Sequence, residues 1–105
     1  MKDPLMALDI NSVKKQFEGT FLELRAIINK HDPLGLIGIG APLDEYEPEV
    51  KTIIVQFKNR QSLNEIHDLV YNEFLRWFED ESTIGPKEAY KNLVMDIYNW
   101  RNEKK

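Results

Sequence analysis

Residues 62–78, which read SLNEIHDLVYNEFLRWF, decide the fold more clearly than any other stretch of the sequence. Ser62 is followed three positions later by Glu65, which is the capping-box pattern of a helix start, and an apolar run follows at once. The run leaves only a narrow polar stripe, and its apolar residues are Ile66, Leu69, Val70, Tyr71, Phe74, Leu75, Trp77 and Phe78. This pattern predicts a helix that is either the most buried of the fold or also faces another molecule.

Three further stretches carry apolar residues at the spacing of three and four that is typical of a helix. The first covers residues 13–28, with Gly19 in its middle at a cost of about 1 kcal/mol relative to alanine. The second covers 48–59, with a proline suited to its first turn. The last begins after the Gly-Pro pair at 85–86. We therefore predict one all-α domain over 1–105, with four mostly antiparallel helices and a long, acidic, Gly/Pro-containing loop between the first two.

The composition excludes several classes of function. The 105 residues include no cysteine, which rules out thiol catalysis, thiolate zinc sites and disulfides. The formal net charge is −4 and no basic patch is present, so the sequence argues against nucleic-acid binding. Charged residues interrupt every apolar run, and the N-terminal residues lack the pattern of a signal peptide. We therefore expect a cytoplasmic protein that does not bind membranes.

The unusual feature is the connection between the first two predicted helices, residues 31–47. Seventeen residues without regular structure are uncommon within a small domain, and such loops are often functional. The first half is rich in glycine, but it lacks both the lysine of a phosphate-binding loop and the strand that precedes a dinucleotide-binding loop. We expect its glycines to permit turns while four aliphatic side chains enter the core, namely Leu34, Leu36, Ile37 and Ile39.

The second half of this connection is acidic. Residues 31–50 hold five carboxylates and no lysine or arginine, which gives −5, while the rest of the chain sums to +1. Two interpretations stay open for Asp44, Glu45, Glu47 and Glu49. Carboxylates at a helix start interact favourably with the helix dipole, by about 0.3 to 1 kcal/mol each. Alternatively, with Tyr46 among them, they form a negative surface for a basic partner.

These residues also carry a resemblance to a known family. The segments DPLGL at 32–36, AP at 41–42 and DEYEPEV at 44–50 resemble the signature of the YugE-like proteins, a small bacterial all-helical family of unknown function. Similar segments occur in small proteins that accompany bacterial polymorphic toxins, where an immunity role is suspected. The resemblance implies a bacterial all-α domain and supplies no catalytic residues. The positions that it singles out are Asp32, Asp44, Glu45 and Tyr46.

The sequence thus favours a noncatalytic protein-interaction domain, with an immunity-type inhibitor as its most specific form. The predicted partner is a basic protein, no cofactor, metal ligand or catalytic residue is predicted, and the predicted partner-binding residues are Asp32, Asp44, Glu45, Tyr46, Glu47 and Glu49. Two alternatives stay open. One is a small enzyme or divalent-cation site that uses His31 and carboxylates of the loop, although their spacing matches no calcium loop. The other is a homo-oligomer that associates through the third predicted helix.

Overall fold

The computed structural model describes residues 3–103, so residues 1, 2, 104 and 105 of the predicted single domain lie outside it. The described chain is mostly helical and contains no strand, which confirms the predicted all-α class. A 3₁₀ turn, Lys87–Tyr90, leads into the last helix. The α-helices in chain order are α1 (Ile10–Gln16), α2 (Thr20–His31), α3 (Glu47–Ile54), α4 (Leu63–Phe78), α5 (Glu81–Ile84) and α6 (Lys91–Glu103).

Residues 3–103 thus form six α-helices where the sequence predicted four. The helix predicted over 13–28 is divided at Gly19, whose φ of 78° lies in a region that glycine adopts far more readily than other residues. The helix predicted over 48–59 ends earlier, at Ile54, because the amides of the next residues form tighter turn bonds. The single turn α5 was not predicted, and its start is capped by the side chain of Asp80.

The start of α4 confirms the predicted capping box. The amide of Glu65 donates to Ser62 Oγ over 3.1 Å, and the amide of Ser62 donates to Glu65 Oε1 over 2.9 Å. Two amides that the helix itself leaves without partners are thereby satisfied. The helix ends at Phe78, and the next residue, Glu79, takes a left-handed conformation and donates its amide to the carbonyl of Leu75.

The core lies within a ring of four helices, in which α2 contacts α3, α3 contacts α4, α4 contacts α6 and α6 contacts α2. Burying one large apolar side chain contributes about 1.5 to 3 kcal/mol, so this shared core holds the ring together. Its fully buried members include Phe21, Leu24, Ile28, Tyr46, Val50, Ile53, Ile66, Val70, Phe74, Tyr90 and Ile97. Five half-buried apolar residues of α4 also pack against this core, and a sixth, Trp77, donates its indole N–H to Thr52 Oγ1 on α3 over 3.0 Å. The five are Leu63, Leu69, Tyr71, Leu75 and Phe78. The wide apolar surface of α4 is therefore accounted for by contacts within the chain.

Candidate functional site

The connection between α2 and α3 is an ordered loop organised around Asp32. Asp32 follows the last residue of α2 in a left-handed conformation, with φ 47°, and its amide donates to the carbonyl of Ile28 over 2.8 Å. Its carboxylate then accepts two amides from further along the loop, from Ile37 to Oδ1 over 3.0 Å and from Gly38 to Oδ2 over 2.9 Å. One residue therefore ends the helix with its backbone and folds the loop back on itself with its side chain.

Tyr46 joins this loop to the core. Its ring is fully buried and lies 6.0 Å, centroid to centroid, from the ring of Phe74 on α4. Its hydroxyl donates to Asp32 Oδ1 over 2.6 Å and accepts the amide of Leu34 over 3.0 Å. The two ends of the loop are thus tied by a hydrogen bond between side chains that stand fourteen residues apart.

The ionisation of these two groups follows from their contact. Burial raises the pKa of the Tyr46 hydroxyl above its ordinary value of 10.0, and the hydrogen bond to Asp32 raises it further. The same hydrogen bond is the main cause that lowers the pKa of Asp32, with help from the backbone amides. At neutral pH the pair is a neutral phenol that donates to a carboxylate. This charge-assisted bond is of the stronger kind.

The glycines of the loop have backbone roles, as the sequence predicted. Gly35 and Gly40 have φ of 70° and 99°, where other residues are strained. A Cβ atom built on Gly38 would lie 3.3 Å from Asp32 Oδ2, closer than an ordinary contact. A larger residue at 38 would therefore press on the carboxylate that holds the loop.

Three of the four aliphatic residues that were predicted to enter the core do so in part, since Leu34, Leu36 and Ile37 are half-buried against it. The prediction is wrong for Ile39, whose side chain is 82% exposed. Leu43 is 62% exposed, while its carbonyl accepts the side-chain amide of Asn29 on α2 over 2.8 Å. The loop thus holds two large apolar side chains out in solvent.

The acidic residues fall into two groups. Asp44 and Glu45 are exposed. Glu47 is buried at the start of α3, where it forms ion pairs with Lys14 over 2.7 Å and Arg25 over 2.8 Å. Glu49 is also buried, and burial raises its pKa to about 7. The predicted negative surface is therefore reduced to two exposed carboxylates.

The six predicted partner-binding residues differ in their exposure. Asp44 and Glu45 are available to another molecule, and Asp32 is half-exposed but engaged in the loop. The other three, Tyr46, Glu47 and Glu49, are buried, and of these only Tyr46 bonds to the loop. That the set binds a partner stays a prediction.

Two residues of the alternative acid–base or cation site, His31 and Asp32, form other contacts, whereas Asp44 and Glu45 are exposed. His31 Nε2 lies 2.6 Å from Asp96 Oδ2 on α6, and Asp32 is held by Tyr46. Within residues 3–103, no group of three or more histidine, aspartate or glutamate side chains is arranged to hold a metal ion. The part of the chain that the structure describes also has no helix long and apolar enough to cross a membrane.

Comparison with known proteins gives no match for this chain. No family model, no curated protein and no solved structure matches the chain significantly. The resemblance to YugE-like proteins stays a prediction.

The exposure of Ile39 and Leu43 was not predicted from the sequence. A signal for Ile39 was present, since it stands between Gly38 and Gly40. Glycines on both sides are typical of a turn tip rather than of a segment that packs against a core. For Leu43 the neighbouring Pro42 and Asp44 are a weaker signal of the same kind.

Proposed function

We propose that this chain is a noncatalytic protein-interaction domain, and that its partner binds the loop face, defined as the side chains of Ile39, Leu43, Asp44 and Glu45. One observation carries the proposal. Among residues 3–103, Ile39 and Leu43 are the two most exposed large hydrophobic side chains, and they stand four positions apart on one ordered loop. We take these two side chains as one apolar patch rimmed by carboxylates, a kind of surface that is typical of protein-binding sites.

The order of the loop supports the same function. The bonds from Asp32 to Tyr46, Ile37 and Gly38, and the bond from Asn29 to the carbonyl of Leu43, hold the loop before any partner arrives. A site that is ordered in advance loses less conformational entropy on binding. Asp32 and Tyr46 of the predicted set therefore support the exposed residues of the loop face.

The charges on the loop face favour a basic partner. Neither Asp44 nor Glu45 forms an ion pair with another residue in the described chain. Exposed carboxylates at the rim of an apolar contact mainly increase the association rate of a partner with positive charge. The likeness of these segments to those of small proteins that accompany bacterial toxins supports a more specific version, an immunity-type inhibitor that binds a basic toxin domain in the bacterial cytoplasm.

Self-association through α4 has less support. None of the exposed large hydrophobic residues of the described chain lies on α4, and its half-buried ones pack against the core or, for Trp77, hydrogen-bond to Thr52. A second copy would find little apolar surface there to bury.

The proposal is tested by capturing partners from the native host with the wild-type chain and with the double variant Ile39→Gln/Leu43→Gln. Met95→Gln is the matched control, because Met95 is another exposed apolar residue but lies on α6. Binding kinetics are then measured on the captured protein. We expect the double variant to weaken binding at least about tenfold, mainly through faster dissociation, and the control to behave as wild type. Equal binding by the double variant, or no protein captured by the wild type, contradicts the proposal.

A further inference from the structure

A concave surface lies apart from the loop face and shares no residue with it. It is a cavity of about 400 Å³ formed where the α1–α2 junction, the end of α3, the turn that follows α3 and the end of α6 meet. Small-molecule sites commonly have volumes of about 300 to 1,000 Å³ and mostly apolar walls. Half of the twelve lining residues are aromatic or aliphatic, namely Phe17, Ile54, Val55, Phe57, Ile66 and Trp100.

The charged groups at this cavity are all of one sign. The chain has four arginines, of which Arg25 and Arg76 form ion pairs with carboxylates. The other two, Arg60 and Arg101, both line the cavity, and neither forms an ion pair with a carboxylate in residues 3–103. No aspartate or glutamate of the described chain is among the lining residues. The cavity therefore combines an apolar wall with uncompensated positive charge.

Arg101 is held in a fixed position. Its Nη1 donates to Gln61 Oε1 over 2.7 Å and its Nη2 donates to the carbonyl of Lys58 over 3.0 Å. Its Cζ lies 4.2 Å from the ring centroid of Phe57, so the guanidinium stacks on an aromatic face. A guanidinium has five N–H donors, and the described residues use two of them. The remaining donors are available to a ligand at no further cost in ordering the side chain.

Trp100 and Arg60 also fit a cavity with an apolar wall and a positively charged part. The indole N–H of Trp100 donates to Glu23 Oε1 over 3.3 Å, so the ring offers the cavity its apolar body. Arg60 is exposed and has φ of 61°, an uncommon conformation for a residue other than glycine. Residues held in such conformations occur preferentially at ligand-binding and active sites.

We propose that this cavity binds a small amphipathic carboxylate, whose apolar body contacts Phe17 and Trp100 and whose carboxylate is bound by Arg101 with help from Arg60. Carboxylates match the planar donor pattern of arginine, and pairing in a partly desolvated site is stronger than in water. Burial also lowers the pKa of Arg101, the sign of a cation that lacks a compensating neighbour. This site is independent of the loop face and does not rest on the function proposed for it.

The probe is 2-naphthoate, with 2-naphthamide as a neutral compound of the same shape. Binding is followed by the NMR signals of the two indole N–H groups. Trp100 lines the cavity, whereas Trp77 does not and donates its indole N–H to Thr52 Oγ1, so Trp77 is an internal control. We expect a saturable shift of the Trp100 signal alone, with a Kd at or below about 1 mM for the carboxylate, and weaker binding of the amide.

Variants separate the contribution of each arginine. Arg101→Gln should weaken naphthoate binding about tenfold or more, and Arg101→Lys should restore it only in part because the fork of donors is lost. Lys91→Gln removes a positive charge from an exposed position outside the cavity and should leave the affinity unchanged. Arg60 is exposed and has no described hydrogen bond, so Arg60→Gln should fold and should weaken naphthoate binding by a factor of about two to five. If Arg101→Gln does not fold, the affinity of Arg60→Gln tests whether the arginines bind the carboxylate.

The inference is overturned if the Trp100 signal does not move, if naphthamide binds as well as naphthoate, or if Arg60→Gln and any folded Arg101 variant bind as the wild type does. The double variant Ile39→Gln/Leu43→Gln should bind naphthoate normally. This variant alters the loop face and leaves the cavity unchanged. Naphthoate binding therefore tests the cavity, and partner binding tests the loop face, independently of each other.

Discussion

Replacing Glu49 with glutamine removes a buried carboxyl group whose ionisation opposes folding. Glu49 lies in the first turn of α3 with only 2% of its surface exposed, and its Oε2 has no hydrogen-bond partner in the described chain. Burial raises its pKa from 4.5 to about 7, and the charge of Glu45 adds to this effect. In the unfolded chain the same group regains its ordinary pKa.

The sign of the pH dependence follows from these two pKa values. Between them the folded protein binds more protons than the unfolded chain, so the free energy of unfolding falls as pH rises. The stabilisation of the protonated form is complete below about pH 4.5 and is lost as pH rises through about 7. A shift of this size corresponds to about 3 kcal/mol in total, of which about 2 to 3 kcal/mol falls between about pH 5 and pH 8.

The assay is urea denaturation at several pH values between about 5 and 8, for the wild type, Glu49→Gln and Glu49→Met. The two variants differ in polarity, so their stabilities differ at every pH, but neither titrates at position 49. Relative to both variants, the free energy of unfolding of the wild type should fall by about 2 to 3 kcal/mol as pH rises from about 5 to about 8. If the free energies of unfolding of wild type and Glu49→Gln change in parallel with pH, the argument about Glu49 is wrong.

Three other substitutions test the contacts that hold the loop. Tyr46→Phe should lower the free energy of unfolding by about 1 kcal/mol or more, as measured in urea, because the amide of Leu34 loses its acceptor and Asp32 loses a donor. Gly38→Ala places a methyl group against Asp32 Oδ2 and should speed amide hydrogen exchange in the loop while the core amides keep their wild-type rates. Glu47→Gln breaks two ion pairs with partly exposed partners and should cost about 1 to 2 kcal/mol, with a smaller loss in high salt, and an equal loss at all salt concentrations would contradict the ion-pair explanation.

The sequence predicted best the features that depend on neighbouring residues. The capping box of Ser62 and Glu65 is a local pattern, and the structure shows both of its hydrogen bonds. At Gly19 two local signals disagreed, because the apolar spacing continues from α1 into α2 while glycine favours a break. The positive φ of Gly19 divides the predicted helix into α1 and α2, and the apolar residues of both helices pack in the same core.

The fate of the acidic residues could not be predicted in the same way. Glu47 is buried in contact with Lys14 on α1 and Arg25 on α2, which pair with its charge. Nothing in the sequence near Glu47 indicates these partners. Asp32 likewise acts through Tyr46, fourteen positions away. A run of carboxylates in a sequence shows the total charge of a segment, but the contacts of the folded chain decide which of these charges reach the surface.

The most direct test of the proposed function is hydrogen–deuterium exchange of the chain with and without its captured partner. The loop face should be protected by the partner, so the account predicts slower exchange in peptides that cover residues 33–46 and little change in α6. Protection confined to α6 or α4, with unchanged exchange over residues 33–46, would contradict the assignment of the loop face as the binding site.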